Sequence, residues 1–411
     1  MNGSTREVSL KHYVEINPLT DEFKILSENE EVTFLPLENI WSGGKTDYST
    51  KRPWKKSDTS YTQFRRGDVL VPKVTPTVFH GRSTVAETET EVGIATSEVH
   101  VLRPKKGVEA KWVAYNVLSS QFLDRARGEV YGVGGLQRIS AGYLGSYKVM
   151  ETDLVNQQRI ADYLDRETAD IDAAVADLDR YVKLLEKRRQ VLIIDALACR
   201  KGPGVTVNGD VSQFGRGRVG LVSTLLRRGI SPAYVDDGIP VVNQKCVKTG
   251  GNFDGTLCRF HDLQSREIPD DLIIKSGDIL INSTGTGTLG RSCIVSEIDV
   301  AATWDSHVTL VRPNTSEVEP RYLGWVIYSQ ESKLIEFSTG STNQIELSRD
   351  TVFNLDIPML PRELQHEIAN YLDEETAEID SLTNESKKLR ALLLKRRSVL
   401  ITDVVTGRKQ V

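Results

Sequence analysis

Two stretches of the chain carry apolar residues at alternating steps of four and three. In 154–199, Ile171, Val175, Leu178, Val182, Leu185 and Leu192 share one stripe, and Arg189 fills the remaining seam position. In 358–411 the best stripe is Ile379, Leu382, Leu389, Leu393 and Leu400, interrupted by Ser386 and Arg396. This spacing marks the seam of a coiled coil, and neither stretch has Pro or Gly in its interior. Each predicts a helix of about 40 residues, ~60 Å long at ~1.5 Å per residue. A rod of that length cannot bury its stripe against one small domain, so its natural partner is the other helix. The competing arrangement has each helix capping its own domain.

Between the helices the pattern changes. DVLVPKV (68–74), EVHVLRP (98–104), DILINST (278–284) and HVTLVRP (307–313) are rich in β-branched residues and bounded by Gly or Pro, which predicts short strands. Amphipathic stretches at Lys111–Asp124 and Arg321–Glu336 predict helices. Residues 200–218 are Gly-rich and poor in apolar side chains, as expected of a linker.

The chain repeats itself. Ile160–Asp172 reads IADYLDRETADID and Ile368–Asp380 reads IANYLDEETAEID, at an offset of 208. The same offset carries Lys187-Arg188-Arg189 onto Lys395-Arg396-Arg397, and Asp195 onto Asp403. Upstream, Gly67-Asp68-Val69-Leu70 corresponds to Gly277-Asp278-Ile279-Leu280, Gly81-Arg82-Ser83 to Gly290-Arg291-Ser292, and Leu102-Arg103-Pro104 to Val311-Arg312-Pro313. Two long copies are a duplication, since solenoid repeats recur every ~20–50 residues. The expected organisation is a mixed α/β domain over 1–153, a helix over 154–199, a second such domain over 200–357 entered through the 200–218 linker, and a helix over 358–411. If the second helix packs antiparallel on the first, it runs back toward the first domain. The predicted fold is therefore α+β: two similar mixed α/β domains separated by two long helices packed as an antiparallel coiled coil, with a pseudo-two-fold.

Composition narrows the class. The net charge of −5 argues mildly against a whole-surface nucleic-acid binder, yet it is unevenly spread. Residues 45–82 hold nine basic and three acidic residues, interleaved with Tyr48, Trp54, Tyr61, Phe64 and Phe79. Basic residues with aromatics suit phosphate contact plus base or sugar packing; a solvated loop is the plainer reading. No apolar run approaches the ~18–20 residues of a membrane span, and MNGSTREVSL lacks a signal pattern. The expected location is the cytoplasm. Four cysteines without C-x-x-C argue against a disulfide framework, and Cys258 with His261 lacks a second pair to complete a zinc set.

Catalytic motifs fail on inspection. In GDILINSTGTGTLGRS (277–292), Gly285, Gly287 and Gly290 spell G-x-G-x-x-G, but RSCIVSEIDV follows and reads as a strand, where a dinucleotide cradle needs a helix. The first copy has Pro72 and Pro76 where glycines are needed. The repeat preserves strand–loop–strand, with Asn282, Ser283, Thr284, Thr286, Thr288 and Arg291 offering small donors and acceptors that can approach bases and phosphates. Ser42-Gly43-Gly44-Lys45-Thr46 resembles a P-loop end, but Asn39 stands where the first Gly belongs. No methyltransferase tetrapeptide, nuclease set or nucleophile–histidine arrangement stands out.

These residues resemble a known family. The duplicated I-A-x-Y-L-D-x-E-T-A-x-I-D followed by K-R-R-x-V-L-I-x-D is similar to the specificity subunit of type I restriction–modification enzymes. Further matching pieces are Pro36–Ile40, Arg227–Val247, the 277–292 loop, Asp356–Asp380 and Leu393–Gly407. The usual E-Q appears as Glu363-Leu364-Gln365 in the second copy but as Asn156-Gln157-Gln158 in the first, which blurs the start of the first helix.

The resemblance implies that each mixed domain is a target recognition domain reading half of a bipartite site on double-stranded DNA. The helices would set the spacer and dock two copies of a modification subunit. Those partners would use S-adenosylmethionine, and restriction subunits would add ATP- and Mg-dependent translocation and cleavage. This chain would be non-catalytic, with no cofactor or metal of its own. Candidate DNA-contacting residues are Lys45, Lys51, Arg52, Lys55, Lys56, Lys73 and Arg82 in the first domain. In the second they are Arg227, Arg228, Asn243, Lys245, Ser283, Thr284, Thr286, Arg291 and Gln344. A coiled-coil scaffold without sequence-specific DNA binding is the reading from another class. A third is the specificity region of a fused nuclease–methyltransferase, against which the missing catalytic motifs speak.

Overall fold

A computed structural model describes the chain except residues 1–5, 59, 133–136, 204–210, 212–213, 249, 266, 286, 297, 299 and 339–345. Its residues group into two compact units, 1–180 with 386–411, and 181–385.

The first unit contains β1 (Glu7–Ser9), β2 (Val14–Ile16), β3 (Glu31–Leu35), β4 (Lys51–Pro53), β5 (Thr62–Arg65), β6 (Val69–Pro72), β7 (Thr84–Val85), β8 (Val92–Ala95) and β9 (Val99–Pro104). Helices α1 (Ala110–Leu118) and α2 (Ser120–Arg127) follow, then the hairpin β10 (Val130–Tyr131) with β11 (Arg138–Ile139), α3 (Ala141–Ser146) and β12 (Lys148–Met150). The long helix α4 (Leu154–Leu197) begins in this unit. One sheet is antiparallel, in the order β2-β9-β6-β7; the other runs β4-β3-β8-β5, with β3 and β8 parallel.

The apolar runs in β6 and β9 are continuous because both faces of their sheet are covered. Val69, Val71 and Leu102 pack under Trp112, Val113 and Val117 of α1. Leu70, Val99 and Val101 point the other way, onto Leu35, Phe64 and Ala95 of the second sheet.

The second unit repeats this plan. It contains β13 (Arg216–Arg218), β14 (Ser223–Arg228), β15 (Tyr234–Val235), β16 (Ile239–Val242), β17 (Arg259–His261), β18 (Ile279–Asn282), β19 (Ser292–Ile294), β20 (Thr303–Trp304) and β21 (Val308–Pro313). It continues with α5 (Pro320–Ser329), α6 (Glu331–Glu336), α7 (Arg349–Phe353), β22 (Asp356–Pro358) and the start of the long helix α8 (Arg362–Val405). Its sheets are β14-β21-β18-β19 and β15-β17-β16-β20, again with one parallel pair, β16 with β20. β13 pairs with β22 as β1 pairs with β12. The end of the expected linker, 216–218, is therefore a paired strand.

Three further expectations change. Each amphipathic stretch after the sheets is two helices. Ser119 takes an extended conformation between α1 and α2 and caps α2 by accepting from the Phe122 amide, while Gln330 separates α5 from α6. The first long helix has a sharp start: Asp153 Oδ1 accepts the Asn156 amide at 2.8 Å, which satisfies an open helix-end donor. Gln157 holds the place of Gln365 of the second copy, since its Oε1 accepts the Glu109 amide at 3.0 Å just as Gln365 accepts that of Glu319 at 2.8 Å. In α8 the seam runs through Ile379, Leu382, Ser386, Arg390, Leu393, Arg397 and Leu400. Leu389 lies outside it, 49% exposed, whereas Ser386 is buried. Polar residues in the true seam made the Leu389 phase look better by hydrophobicity alone.

In the first unit, Leu164, Ile171 and Val175 of α4 pack with Leu400, Ile401, Val404 and Val405 of α8. Asp172 meets Arg397 at 3.1 Å and Asp179 meets Arg390 at 2.8 Å. In the second, Leu185, Leu192 and Ile193 share a core with Ile368, Leu372 and Ile379, and Asp380 meets Arg189 at 2.6 Å. Within the first unit, advancing along α4 means going backward along α8, so the helices run antiparallel.

The third arginine of each K-R-R does more than pair. Arg397 also donates to the carbonyl of Gly43 at 3.0 Å, and Arg189 to that of Gly250 at 2.5 Å. Both carbonyls sit in Gly-Gly turns with φ near the left-handed region: Gly43 82°, Gly44 84°, Gly250 87° and Gly251 82°. A side chain is disfavoured there, and a Cβ on Gly43 would stand 3.1 Å from the Arg397 guanidinium. The P-loop-like sequence thus forms a turn that grips the helix pair.

Replacing Arg397 with Ala should destabilise the first unit by about 2–3 kcal/mol, since it leaves Asp172 and a turn carbonyl short of a charged donor. Arg189→Ala should do the same to the second unit. Native-state hydrogen exchange, read separately over β6–β9 and β18–β21, checks that each loss stays within its own unit.

Candidate nucleic-acid interface

In each unit four chain segments end together at one rim of the sheets. In the second unit these are the ends of β14, β16 and β18 and the turn from β20 to β21. Backbone bonds lock them: Ile230 N to Trp304 O, 2.9 Å; Asp305 N to Val242 O, 2.9 Å; Ser283 N to His307 O, 2.8 Å; and Leu347 N to Ser283 O, 2.8 Å. Gly229 permits the closest approach, because a Cβ there would lie 1.9 Å from the Trp304 carbonyl oxygen.

The first unit has the same construction. Thr96 N donates to Leu35 O at 3.3 Å, Lys73 N to Glu98 O at 2.8 Å and Ile139 N to Lys73 O at 3.0 Å. Lys73 therefore occupies the place of Ser283, and Glu98 that of His307. The scaffold is duplicated, but the side chains on it are not.

On the first rim, Arg138 donates to both oxygens of Glu98 at 2.8 Å, and this guanidinium holds the Glu98 carboxyl below its usual range. Lys73 Nζ donates to Ser97 O at 2.7 Å; burial, more than anything else, lowers its pKa. On the second rim, Asn282 Nδ2 donates to Gln244 O at 3.1 Å, Gln244 Nε2 to Thr284 O at 2.8 Å, and the Thr284 hydroxyl lies 2.9 Å from His307 Nδ1. The His307 amide donates to Asp305 Oδ1 at 2.9 Å, and Tyr234 OH to Asp305 Oδ2 at 3.4 Å. Burial raises the Asp305 carboxyl. Arg259 stacks on the Tyr234 ring, 3.3 Å from its centroid.

The expected contact residues are dispersed. Lys73 lies on the first rim, whereas Lys45 stands at the Gly-Gly turn 3.9 Å from Asp172. Lys51 pairs with Glu89 at 2.7 Å and Arg52 with Asp58 at 3.1 Å, and Lys55 and Lys56 are exposed just beyond β4. Arg82 follows the Gly81 turn, with a buried Nε that has no partner among the described residues. The interleaved aromatics are structural: Phe64 and Trp54 are core, and Tyr48 bonds Val85 O at 2.6 Å. The 45–82 run thus forms no single basic-aromatic face.

In the second unit, Arg228 pairs with Glu346 at 3.3 Å and donates to Leu347 O at 2.9 Å, at the rim. Arg227 pairs with Asp271 at 3.4 Å. Lys245 and Thr284 reach the rim surface, and Arg291 donates to Gly287 O at 2.6 Å within the glycine loop. Ser283 is fully buried and bonds the Thr309 hydroxyl at 2.5 Å; Asn243 is buried and donates to Leu257 O at 2.9 Å. Thr286 and Gln344 lie outside the described residues. The glycine loop joins antiparallel β18 and β19, with φ of 101°, 78° and 83° at its three glycines, so strand–loop–strand holds. Cys246 and Cys258 are free thiols 3.9 Å apart, and His261 accepts the Ala233 amide instead of joining them. Among the described residues no cluster of three or more His, Cys, Asp or Glu is placed to hold a metal, and no helix is long and apolar enough to cross a membrane.

Sequence reasoning passed over Gln244, His307, Glu98 and Arg138. A signal existed. Glu98 and His307 are the first residues of the matched runs EVHVLRP and HVTLVRP, an aligned position where chemistry changes while the strand does not.

Each unit combines two four-stranded sheets with segments of both long helices, and solved structures share this fold. A chain from a structure of type I R-M system complex assembly and conformational transition matches with a TM-score of 0.77 at 15% identity, covering 99% of each chain. The HsdS subunit from Thermoanaerobacter tengcongensis matches with a TM-score of 0.53 at 16% identity, covering 98% of this chain and 97% of that one. In sequence the chain is similar to specificity subunits of type I restriction enzymes. It is 26% identical to that of EcoAI and 24% identical to that of EcoEI, both from Escherichia coli. Each match covers 37% of this chain and 26% of the relative's length. No family model matches.

One buried group near the first rim makes a pH prediction. His100 Nε2 donates to Ile139 O at 3.1 Å, and its Nδ1 faces the Asn17 side-chain amide, 3.0 Å from Nδ2 and 3.3 Å from Oδ1. Burial, the largest cause, lowers its pKa to about 4 from an ordinary 6.5. Between these values the unfolded chain binds the extra proton, so stability is full above pH 6.5 and falls as pH drops toward 4. The loss should reach about 3 kcal/mol. Urea unfolding of the first unit at pH 7 and pH 4.5 tests this, and His100→Gln should remove most of the difference.

Proposed function

We propose that this chain is the DNA-recognition subunit of a type I restriction–modification complex. Each rim reads one half of a bipartite double-stranded site. One observation carries the reading: two rims built by the same backbone bonds present different side chains, as two readers of unlike half-sites require. The similarity to specificity subunits supports it. The other class, a scaffold without sequence-specific DNA binding, gives no reason for equal frames with unequal surfaces.

The chain itself is non-catalytic in this reading. Modification subunits bring S-adenosylmethionine, restriction subunits bring ATP and Mg, and the complex works in the cytoplasm. Two modification subunits dock on the helices, where Leu184, Val191 and Ile194 of α4 and Leu389, Leu392 and Val399 of α8 remain exposed. Leu184 and Val191 recur as Leu392 and Val399 at the offset of 208.

Single-molecule methylation maps of host DNA, with and without the gene, test the proposal. One bipartite methyladenine motif should vanish on deletion; an unchanged map in a host with active partner subunits would refute it. Replacing residues 1–153 by the corresponding domain of another specificity subunit should change one half-site only. Removing matched turns from α4 and α8 should alter spacer length and leave both half-sites intact.

A further inference from the structure

The hydrogen bonds on the second rim hold one exposed imidazole in place. The Gln244 side-chain NH2 faces the Thr284 carbonyl, which can only accept, so this group is the donor. The same NH2 also donates to the Thr284 hydroxyl oxygen. That hydroxyl keeps its own proton, and His307 Nδ1 stands within reach of it, 2.9 Å away. When Nδ1 accepts that proton, the neutral ring carries its own on Nε2. The ring is exposed, and no partner for Nε2 is found among the described residues. Its backbone is pinned too, by the amide bond to Asp305 Oδ1 at 2.9 Å and by the Ser283 amide on its carbonyl at 2.8 Å.

We propose that His307 is a specificity-determining residue of the second unit, presenting a fixed Nε2–H donor to an acceptor on a base edge. Gln244 is the positioning residue that sets its tautomer through Thr284. The inference rests on the DNA-recognition reading above and deepens it. A donor in the major groove meets N7 or O6 of guanine, N7 of adenine or O4 of thymine, and is mismatched against the cytosine amino group. The aligned position on the first rim holds Glu98, a carboxylate gripped by Arg138, which is an acceptor. A cytosine N4 amino group is what a carboxylate accepts from. The two rims thus carry opposite hydrogen-bonding polarity at one equivalent place.

The test uses the full chain assembled with its modification subunits and a library of DNA sites randomised in both half-sites, with methylation read by sequencing. His307→Ala should relax discrimination at one base pair of one half-site by about tenfold or more, with the other half-site unchanged. Glu98→Gln should act in the other half-site. Gln244→Leu should weaken the same base preference as His307→Ala, by a smaller factor, because the imidazole stays but its tautomer is free. His307→Gln, which keeps a side-chain donor, guards against loss of fold and should retain part of the preference. An unchanged base preference in His307→Ala overturns the inference, and so does equal weakening on all sequences, which marks a phosphate contact. A wild-type complex that methylates no bipartite motif refutes the DNA-recognition reading itself, a distinct result.

Discussion

The arrangement of each unit hangs on one side chain. Arg397 in the first and Arg189 in the second leave one long helix, meet an aspartate on the other, and end on a carbonyl of a Gly-Gly turn in the sheet domain. Helix, partner helix and sheet are joined at one point by a group with five donors in a rigid fork. A lysine, with a single flexible ammonium, cannot match that geometry. Around this point the remaining ties repeat: Tyr115 and Lys111 bond Asp165 at 2.7 Å, and Trp325 and Arg321 bond Asp373 at 2.8 and 2.9 Å. The repeat therefore keeps the joint and tolerates different side chains around it.

A second duplicated pair holds the sheets. Arg103 grips Asp68 at 2.8 Å and Arg312 grips Asp278 at 2.7 Å, both aspartates being almost fully buried. Each aspartate opens the strand that leads to the rim. A buried charge needs its partner and its hydrogen bonds, so these strands are held in register by electrostatics as well as by β-branched packing. The rim residues then inherit fixed positions. That rigidity is the physical basis for holding an exposed imidazole in a fixed place on the second rim.

The helices, their antiparallel pairing and the strand runs were legible because periodicity and repetition are written residue by residue. The phase of α8 was not. Ser386, Arg390 and Arg397 occupy seam positions, and hydrophobicity alone prefers Leu389, which is exposed. The partners of the basic-aromatic stretch at 45–82 were hidden for a related reason. Phe64 and Trp54 serve the core, and Lys51 and Arg52 pair with Glu89 and Asp58; neither fact is visible before the chain is folded.

By itself the sequence determined the duplicated plan, the two long helices, the mixed α/β character and the resemblance that points to DNA recognition. These depend on near-neighbour spacing and on matches at a fixed offset. Tertiary structure alone decided which polar residues face outward together. Gln244, Thr284 and His307 come from three separate segments, and Lys73, Glu98 and Arg138 from three others. Only the closing of the sheets brings their ends to one rim, because strand pairing joins residues with no local signal of one another in the chain.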